Sequence, residues 1–134
     1  MLKTKEQFDL VTGKIIGCAI EVHKELGPGL MESVYDVCLA EELIRNGLAI
    51  KRQVVLPVEY KGRTLEKDFI IDLLVEEEIV VELKSVEIIL PVHEAQLVTY
   101  LKLSGKKLGL LINFNVPILK DGIKRRINGN FPSV

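Results

Sequence analysis

Two apolar runs separated by three acids constrain this chain more than any other feature. Phe69-Ile70-Ile71-Asp72-Leu73-Leu74-Val75 is followed by Glu76-Glu77-Glu78, and then by Ile79-Val80-Val81-Glu82-Leu83-Lys84. Both runs have the length and the β-branched content of strands, and the acids between them read as a tight polar turn. A turn centred on Glu77 sets Asp72 directly opposite Glu82 on the neighbouring strand. Side chains alternate along a strand, so Glu82 and Lys84 share a face and Leu83 points away. Strands this apolar should be buried, and burying three charges is costly unless they pair or hold a metal. A conflict between local pattern and charge is expected where a chain does chemistry.

The arrangement has a definite chemical use. Asp72 and Glu82, with the backbone carbonyl of Leu83, form a hard oxygen donor set that suits Mg²⁺ or Mn²⁺. Such an ion polarises a phosphoryl oxygen and makes water more acidic. Lys84 can orient that water or neutralise charge on the attacked phosphate. The plainer reading of the same residues is a Glu82–Lys84 ion pair on an ordinary mixed sheet, with Asp72 at a strand end. Strings of this kind are common in charged proteins, and the motif alone does not separate the two.

The chain has 134 residues, which suits a single domain over 1–134 with a core of its own. The formal net charge is −1; Trp is absent and aromatics are few, so the core is expected to be mostly Ile, Leu and Val. No stretch approaches the roughly 20 apolar residues needed to span a bilayer. Met1-Leu2-Lys3-Thr4-Lys5-Glu6 lacks the apolar centre of a signal peptide, so a cytoplasmic location and no membrane partner are expected. Cys18 and Cys38 stand outside any CxxC or Cys/His cluster and read as two buried, reduced thiols. After Tyr100 the basic residues Lys102, Lys106, Lys107, Lys120, Lys124, Arg125 and Arg126 face one acid, Asp121. That asymmetry marks either a phosphate-facing surface or a solvated face.

Phe8, Val11, Ile15, Ala19, Val22 and Leu26 recur at helical spacing, which predicts a helix from about Glu6 to Leu26. Gly27-Pro28-Gly29 breaks it, and a second helix is expected from Met31 to Asn46. Strands follow at Ile50–Tyr60, Arg63–Val75 and Ile79 to about Val86. Pro91 opens a helix ending near Ser104-Gly105, Leu108–Phe114 is a buried strand, and a short strand is expected at Ile123–Ile127. A helix between the third and fourth strands implies a crossover and a parallel pair beside the antiparallel meander. The expected fold is α/β: a mixed sheet, three-strand meander plus crossover strand, flanked by helices.

At this point the chain resembles a known family. Gly29-Leu30-Met31-Glu32-Ser33-Val34-Tyr35 matches the pattern of the GxxExxY proteins, members of the PD-(D/E)XK nuclease superfamily with a restriction-endonuclease-like fold. The likeness continues through Ile71-Asp72-Leu73, Val81-Glu82-Leu83-Lys84, His93-Glu94-Ala95-Gln96-Leu97 with Tyr100-Leu101, and Leu108 to Phe114. The strict Pro-Asp start is replaced by Ile71-Asp72, a departure common in the superfamily. The resemblance implies that Glu32 helps complete the metal site; read alone, Glu32 is an acid near a helix N-terminus, where the dipole favours it. It also implies that Gln96-x-x-x-Tyr100, similar to the QxxxY element of RecB-type exonucleases, lies beside the site. Gln96 would then bond a phosphate, and Tyr100 would stack on a base or pack on the sheet. His93 shares their helix face and can contact phosphate, metal or its own backbone.

Two functions remain open on these grounds. One is a Mg²⁺- or Mn²⁺-dependent nuclease acting on nucleic acid, DNA first, with Glu32, Asp72, Glu82 and Lys84 as catalytic residues and Gln96, Tyr100 and His93 toward substrate. The other is a non-catalytic module on the same fold, binding nucleic acid or a protein. The chain carries no recognisable DNA-reading domain, so a homodimer or a protein partner is a candidate means of holding DNA.

Overall fold

The computed structural model describes residues 2–129 together with Phe131. Helix α1, Lys5–Leu26, starts at Thr4, whose hydroxyl accepts the Gln7 N–H while the Gln7 side chain accepts the Thr4 N–H. This reciprocal cap satisfies two donors that a helix start leaves open. Helix α2 follows at Glu32–Arg45, then strands β1 (Ile50–Tyr60), β2 (Arg63–Val75) and β3 (Ile79–Lys84). Helix α3, Pro91–Ser104, leads to β4 (Leu108–Asn113), and a 3-10 turn at Leu119–Gly122 leads to β5 (Ile123–Ile127). The strands lie in the order β1-β2-β3-β4-β5, antiparallel except for the parallel β3–β4 pair that α3 connects. This is the expected mixed sheet. The differences are ends shifted by one or two residues and the 3-10 turn, which carries no periodic signal.

Each sheet face has its own apolar cluster. Phe8, Val11, Ile15 and Val22 of α1 and Tyr35, Leu39 and Leu43 of α2 cover Leu73, Val75, Val81, Leu110 and Ile112. Leu97, Tyr100 and Leu101 of α3 cover Ile71, Leu74, Val80 and Leu111 on the other face. Gly109 lets α3 come close, because a Cβ there would lie 2.7 Å from Leu97 Cδ1. β3 and β4 are central, which explains their nearly unbroken apolar sequence. Both cysteines are free; Cys18 is buried as expected, whereas Cys38 is only half-buried. It sits beside the Tyr35–Leu39–Leu43 stripe of α2 rather than on it.

Three local devices shape the region around the acidic hairpin. The turn carries two left-handed residues, Glu76 (φ 52) and Glu77 (φ 60). The Glu76 carboxylate accepts the Ala49 N–H at 2.6 Å and its own N–H donates to the Ala49 carbonyl, which holds the turn against β1's approach. In β1 a third such residue, Gln53 (φ 51), stands in register with Asp72. There the alternation slips. Ile71 joins the α3-side cluster while Leu73 and Val75 join the other, and Val54 and Leu56 follow Ile71. The β1–β2 pair therefore turns over at Gln53 and Asp72. The third device is Tyr35, whose ring stacks on Phe114 at 4.3 Å. Its hydroxyl donates to the Gly27 carbonyl at 2.6 Å and accepts the Leu30 N–H at 3.1 Å. The loop before Glu32 is clamped in this way, with Gly27 (φ 72) and Gly29 (φ 91) supplying backbone angles that other residues rarely adopt.

Tyr35→Phe keeps the ring and its stacking but leaves the Gly27 carbonyl and the Leu30 N–H without this partner. It should destabilise the fold by about 1–3 kcal/mol, read from urea midpoints at unchanged m-value. An unchanged midpoint would mean that water replaces the hydroxyl without loss.

Candidate active site

The β2–β3 ladder stops at Leu73–Val81. One step further, where Asp72 faces Glu82, side chains replace backbone pairing. The Asp72 N–H donates to Glu82 Oε1 at 3.2 Å, and the Leu83 N–H donates to Asp72 Oδ2 at 2.8 Å. Each carboxylate thus caps the opposite strand, and the strands open into a wedge. The register read from the acidic turn is the one observed. In a strand the N–H and C=O of one residue point to the same side, so the Leu83 carbonyl also faces this wedge. The Leu83 side chain lies in the core on the other face, so its backbone is what lines the cleft.

The wedge opens into a cleft of about 420 Å³. Its floor is Asp72, Glu82 and Lys84. Glu32, Ser33 and Asp36 of α2 form one wall, and Gln96 and Tyr100 of α3 form the other. Residues from distant parts of the chain therefore meet at the pair. Glu32 and Gln96 are both exposed, as cleft-wall residues are. His93 is not among the lining residues; its Nδ1 accepts the Leu90 N–H at 3.0 Å, the local helix-start role. Sequence reasoning missed Asp36. It is 9% exposed and binds Arg52 Nε at 3.3 Å and Gln53 Nε2 at 3.1 Å, tying α2 to β1 where the ribbon turns over. The available signal was its spacing of four from Glu32 beside the apolar stripe of α2. Gln53 gave no signal, because nothing local marks a left-handed residue there.

The electrostatics of the pair are unusual. Glu82 is 7% exposed. Burial, then the Asp72 charge, then a direct side-chain hydrogen bond with Asp72, push its carboxyl up to about 9. The Asp72 N–H and the Lys84 ammonium oppose this without overcoming it. Burial also raises the Tyr100 phenol, with the charges of Glu82 and Asp72 adding to it, so Tyr100 stays protonated. No ion pair joins Lys84 to Glu82 or Asp72 among the described residues, so the simple Glu82–Lys84 pairing is not what the structure has. The basic C-terminal segment is also partly spoken for. Arg125 pairs with Asp9 at 2.6 Å and Arg126 pairs with Glu94.

Among the described residues no three His, Cys, Asp or Glu side chains gather into a ready metal cage, and Glu32 belongs to the cleft wall. The donor set nevertheless fits a hard divalent cation. Two touching carboxyls, one kept protonated by burial and by the other's charge, and an inward backbone carbonyl offer oxygen ligands and an unneutralised charge. Magnesium commonly takes one or two carboxylates and completes its shell with water and phosphate.

The shifted carboxyl has a consequence for the metal-free protein. Below about pH 4.5 Glu82 is protonated in both folded and unfolded chains. Between there and about 9 the folded chain keeps a proton that the unfolded chain has lost. Stability should therefore fall as pH rises through this window, by up to about 1.4 kcal/mol per pH unit from this group. Glu82→Gln should remove that slope. Urea melts in chelator at about pH 5, 7 and 9 measure it, and identical pH profiles for the two proteins would contradict the shift.

No curated protein and no solved structure is significantly similar to the chain. Enzymes of the PD-(D/E)XK nuclease superfamily generally use divalent metal ions. The profile of that superfamily matches residues 9–126, from α1 into β5, and spans Asp72, Glu82 and Lys84 at the wedge. The chain belongs to the PD-(D/E)XK nuclease superfamily.

Proposed function

We propose that this protein is a Mg²⁺- or Mn²⁺-dependent nuclease that hydrolyses DNA phosphodiester bonds at the Asp72–Glu82 wedge. The observation that carries this reading is the contact between the buried Glu82 carboxyl and the half-buried Asp72 carboxyl where the β2–β3 ladder stops. As a structural pair they would be a defect; as ligands they are used. Asp72, Glu82 and the Leu83 carbonyl would hold the ion, with Glu32 completing its surroundings from the wall. The ion, when bound, supplies a polarised phosphoryl oxygen and more acidic water.

The chain's own groups have distinct tasks in this reading. Glu82 would give up its proton to solvent as a ligand of the ion, so the donor set would be complete only when loaded. Lys84, in no ion pair among the described residues, directs its ammonium charge at the phosphate and offsets the negative charge that grows as water adds to phosphorus. Gln96 donates its amide to a non-bridging oxygen. Tyr100 stays a hydrogen-bond donor because its phenol resists ionisation. The reaction forms one P–O bond from water and breaks one P–O bond to the leaving sugar oxygen, which takes up a proton. His93 supports the N-terminus of α3 and acts through it. The Gly29 to Tyr35 segment, with Tyr35 clamping the turn before Glu32, favours placement among the GxxExxY proteins.

Assays on single- and double-stranded DNA and RNA with either ion test the proposal. Wild type should cleave DNA only with metal, and Asp72→Ala should fall below about one hundredth of that rate, on the scale of losing a main electrostatic stabiliser. Binding has a readout that needs no turnover. At a hundredfold excess over Kd the ion should stabilise wild type by about 2.7 kcal/mol, a shift of several degrees in Tm. Glu82→Gln should lose that shift and be at least as stable as wild type without metal. A purely structural role predicts no metal response; no shift at millimolar Mn²⁺ would overturn the assignment.

A further inference from the structure

β1 and β2 run on together well past the rest of the sheet. β3 pairs with β2 only over Leu73–Val75, whereas the β1–β2 ladder continues to Tyr60–Arg63. Beyond the turnover at Gln53 and Asp72 the chain is a two-stranded ribbon with both edges unpaired among the described residues. Such ribbons are marginal alone, and open edges invite a partner.

The two faces of the ribbon differ in charge. Leu56 and Phe69 are half-buried against the α3 cluster, and the Phe69 ring meets Tyr100 at 5.5 Å. That fixes which face looks toward α3. The β1–β2 register shifts between Pro57 and Glu59, where four residue steps of β2 span two of β1; both counts are even, so the Tyr60–Arg63 pair keeps the parity of Leu56–Phe69, and Lys67, Leu65, Arg63 and Tyr60 are assigned to this face. All four are exposed, and neither Arg63 nor Lys67 is in an ion pair among the described residues. At the tip the Lys61 ammonium lies 5.4 Å from the Tyr60 ring centroid. The opposite face carries Glu59, Glu66 and Asp68. In the cleft, Glu82 and Lys84 share the strand face of Val80, which packs under α3, so the Lys84 ammonium lies on the α3 side with Gln96 and Tyr100, next to the Glu82 carboxyl. Glu32 and Asp36 lie on the side of α2.

We propose that the β1–β2 ribbon is a DNA-gripping arm. Its α3-side face, through Arg63 and Lys67 with Tyr60, follows the phosphate backbone of a strand entering the cleft, while the acidic face turns DNA away from the α2 side. This rests on the nuclease reading and adds to it how the substrate is held. Charge complementarity selects the occupant: a polyanion fits one face and is repelled by the other. A protein partner docking on the open edges would show no such preference.

The test measures binding of a short fluorescein-labelled DNA by anisotropy, with Ca²⁺ in place of the active ion, across a salt series. Arg63→Glu with Lys67→Glu should weaken binding at least about tenfold, and the slope of log affinity against log salt should become shallower by about 2. Glu66→Lys with Asp68→Lys should leave binding equal or tighter. Arg63→Gln with Lys67→Gln, a milder change at exposed positions, should give a smaller loss of the same sign. The metal-induced shift in Tm should be unchanged in all three, which separates the arm from the metal site. Wild-type binding that the arm variants do not alter would overturn the arm and leave the nuclease reading standing. The same holds if both charge reversals weaken binding alike, or if they alter RNA binding and not DNA binding. A metal shift with no binding of DNA by wild type would overturn the arm and leave the metal site. Absence of metal shift and of binding would overturn both.

Discussion

Everything around the cleft depends on two like charges being held in contact at a gap in the sheet. A backbone ladder running on past Leu73–Val81 would bury Asp72 and Glu82 against each other with nothing to gain from it. Here the ladder stops, and each carboxylate takes up a backbone donor that the missing rungs would have left open. Buried donors must find partners, so the acids and the gap stabilise one another's geometry. Neither feature survives alone: without the gap the carboxyls have no solvent-side opening, and without the carboxyls the strand ends have unsatisfied N–H groups. The cost remains visible in Glu82, which keeps its proton far above the usual carboxylate range.

The gap has to be kept open from both sides. On one side Asp36 grips Arg52 and Gln53, so α2 holds the base of the ribbon as it turns over. Tyr35, one residue earlier, braces the loop that leads to Glu32 and stacks on Phe114 just after β4. On the other side α3 lies close against β4 because Gly109 has no side chain, and this brings Gln96 and Tyr100 to the cleft wall. Rigid strands and helices, rather than loops, thus position nearly every lining group. That is the arrangement expected where geometry must hold to a fraction of an ångström.

Much of this was legible in the sequence, and the limits have physical causes. The hairpin register followed from the apolar runs and the acidic turn, because a one-residue slip would expose every buried side chain. The strand and helix order followed from periodicity. The meeting of Glu32, Gln96 and Tyr100 with the acidic pair came from the family resemblance, since no local pattern ties positions so far apart. The turnover at Gln53 was invisible, because a left-handed glutamine inside a strand is set by its tertiary neighbours. The C-terminal basic run offered two readings, and the structure divides it. Arg125 finds Asp9 on α1 and Arg126 finds Glu94 on α3, pairings between elements that composition cannot anticipate. Arg63 and Lys67 of the ribbon are in no ion pair among the described residues, and there basic and acidic residues alternate and cancel in any count along the chain.

Lys84 shows why cancellation by count misleads. A lysine two residues from a buried glutamate invites the assumption of an ion pair, and such a pair would lower the Glu82 carboxyl. The carboxyl is instead raised, and no ion pair joins Lys84 to it among the described residues. Sharing a strand face keeps the ammonium near enough to act through space and too far to neutralise the acid. Burial and the Asp72 charge therefore dominate, leaving one proton to be displaced and one cation uncommitted. On the nuclease reading, a divalent ion and a phosphate would each meet a different unspent charge at this site.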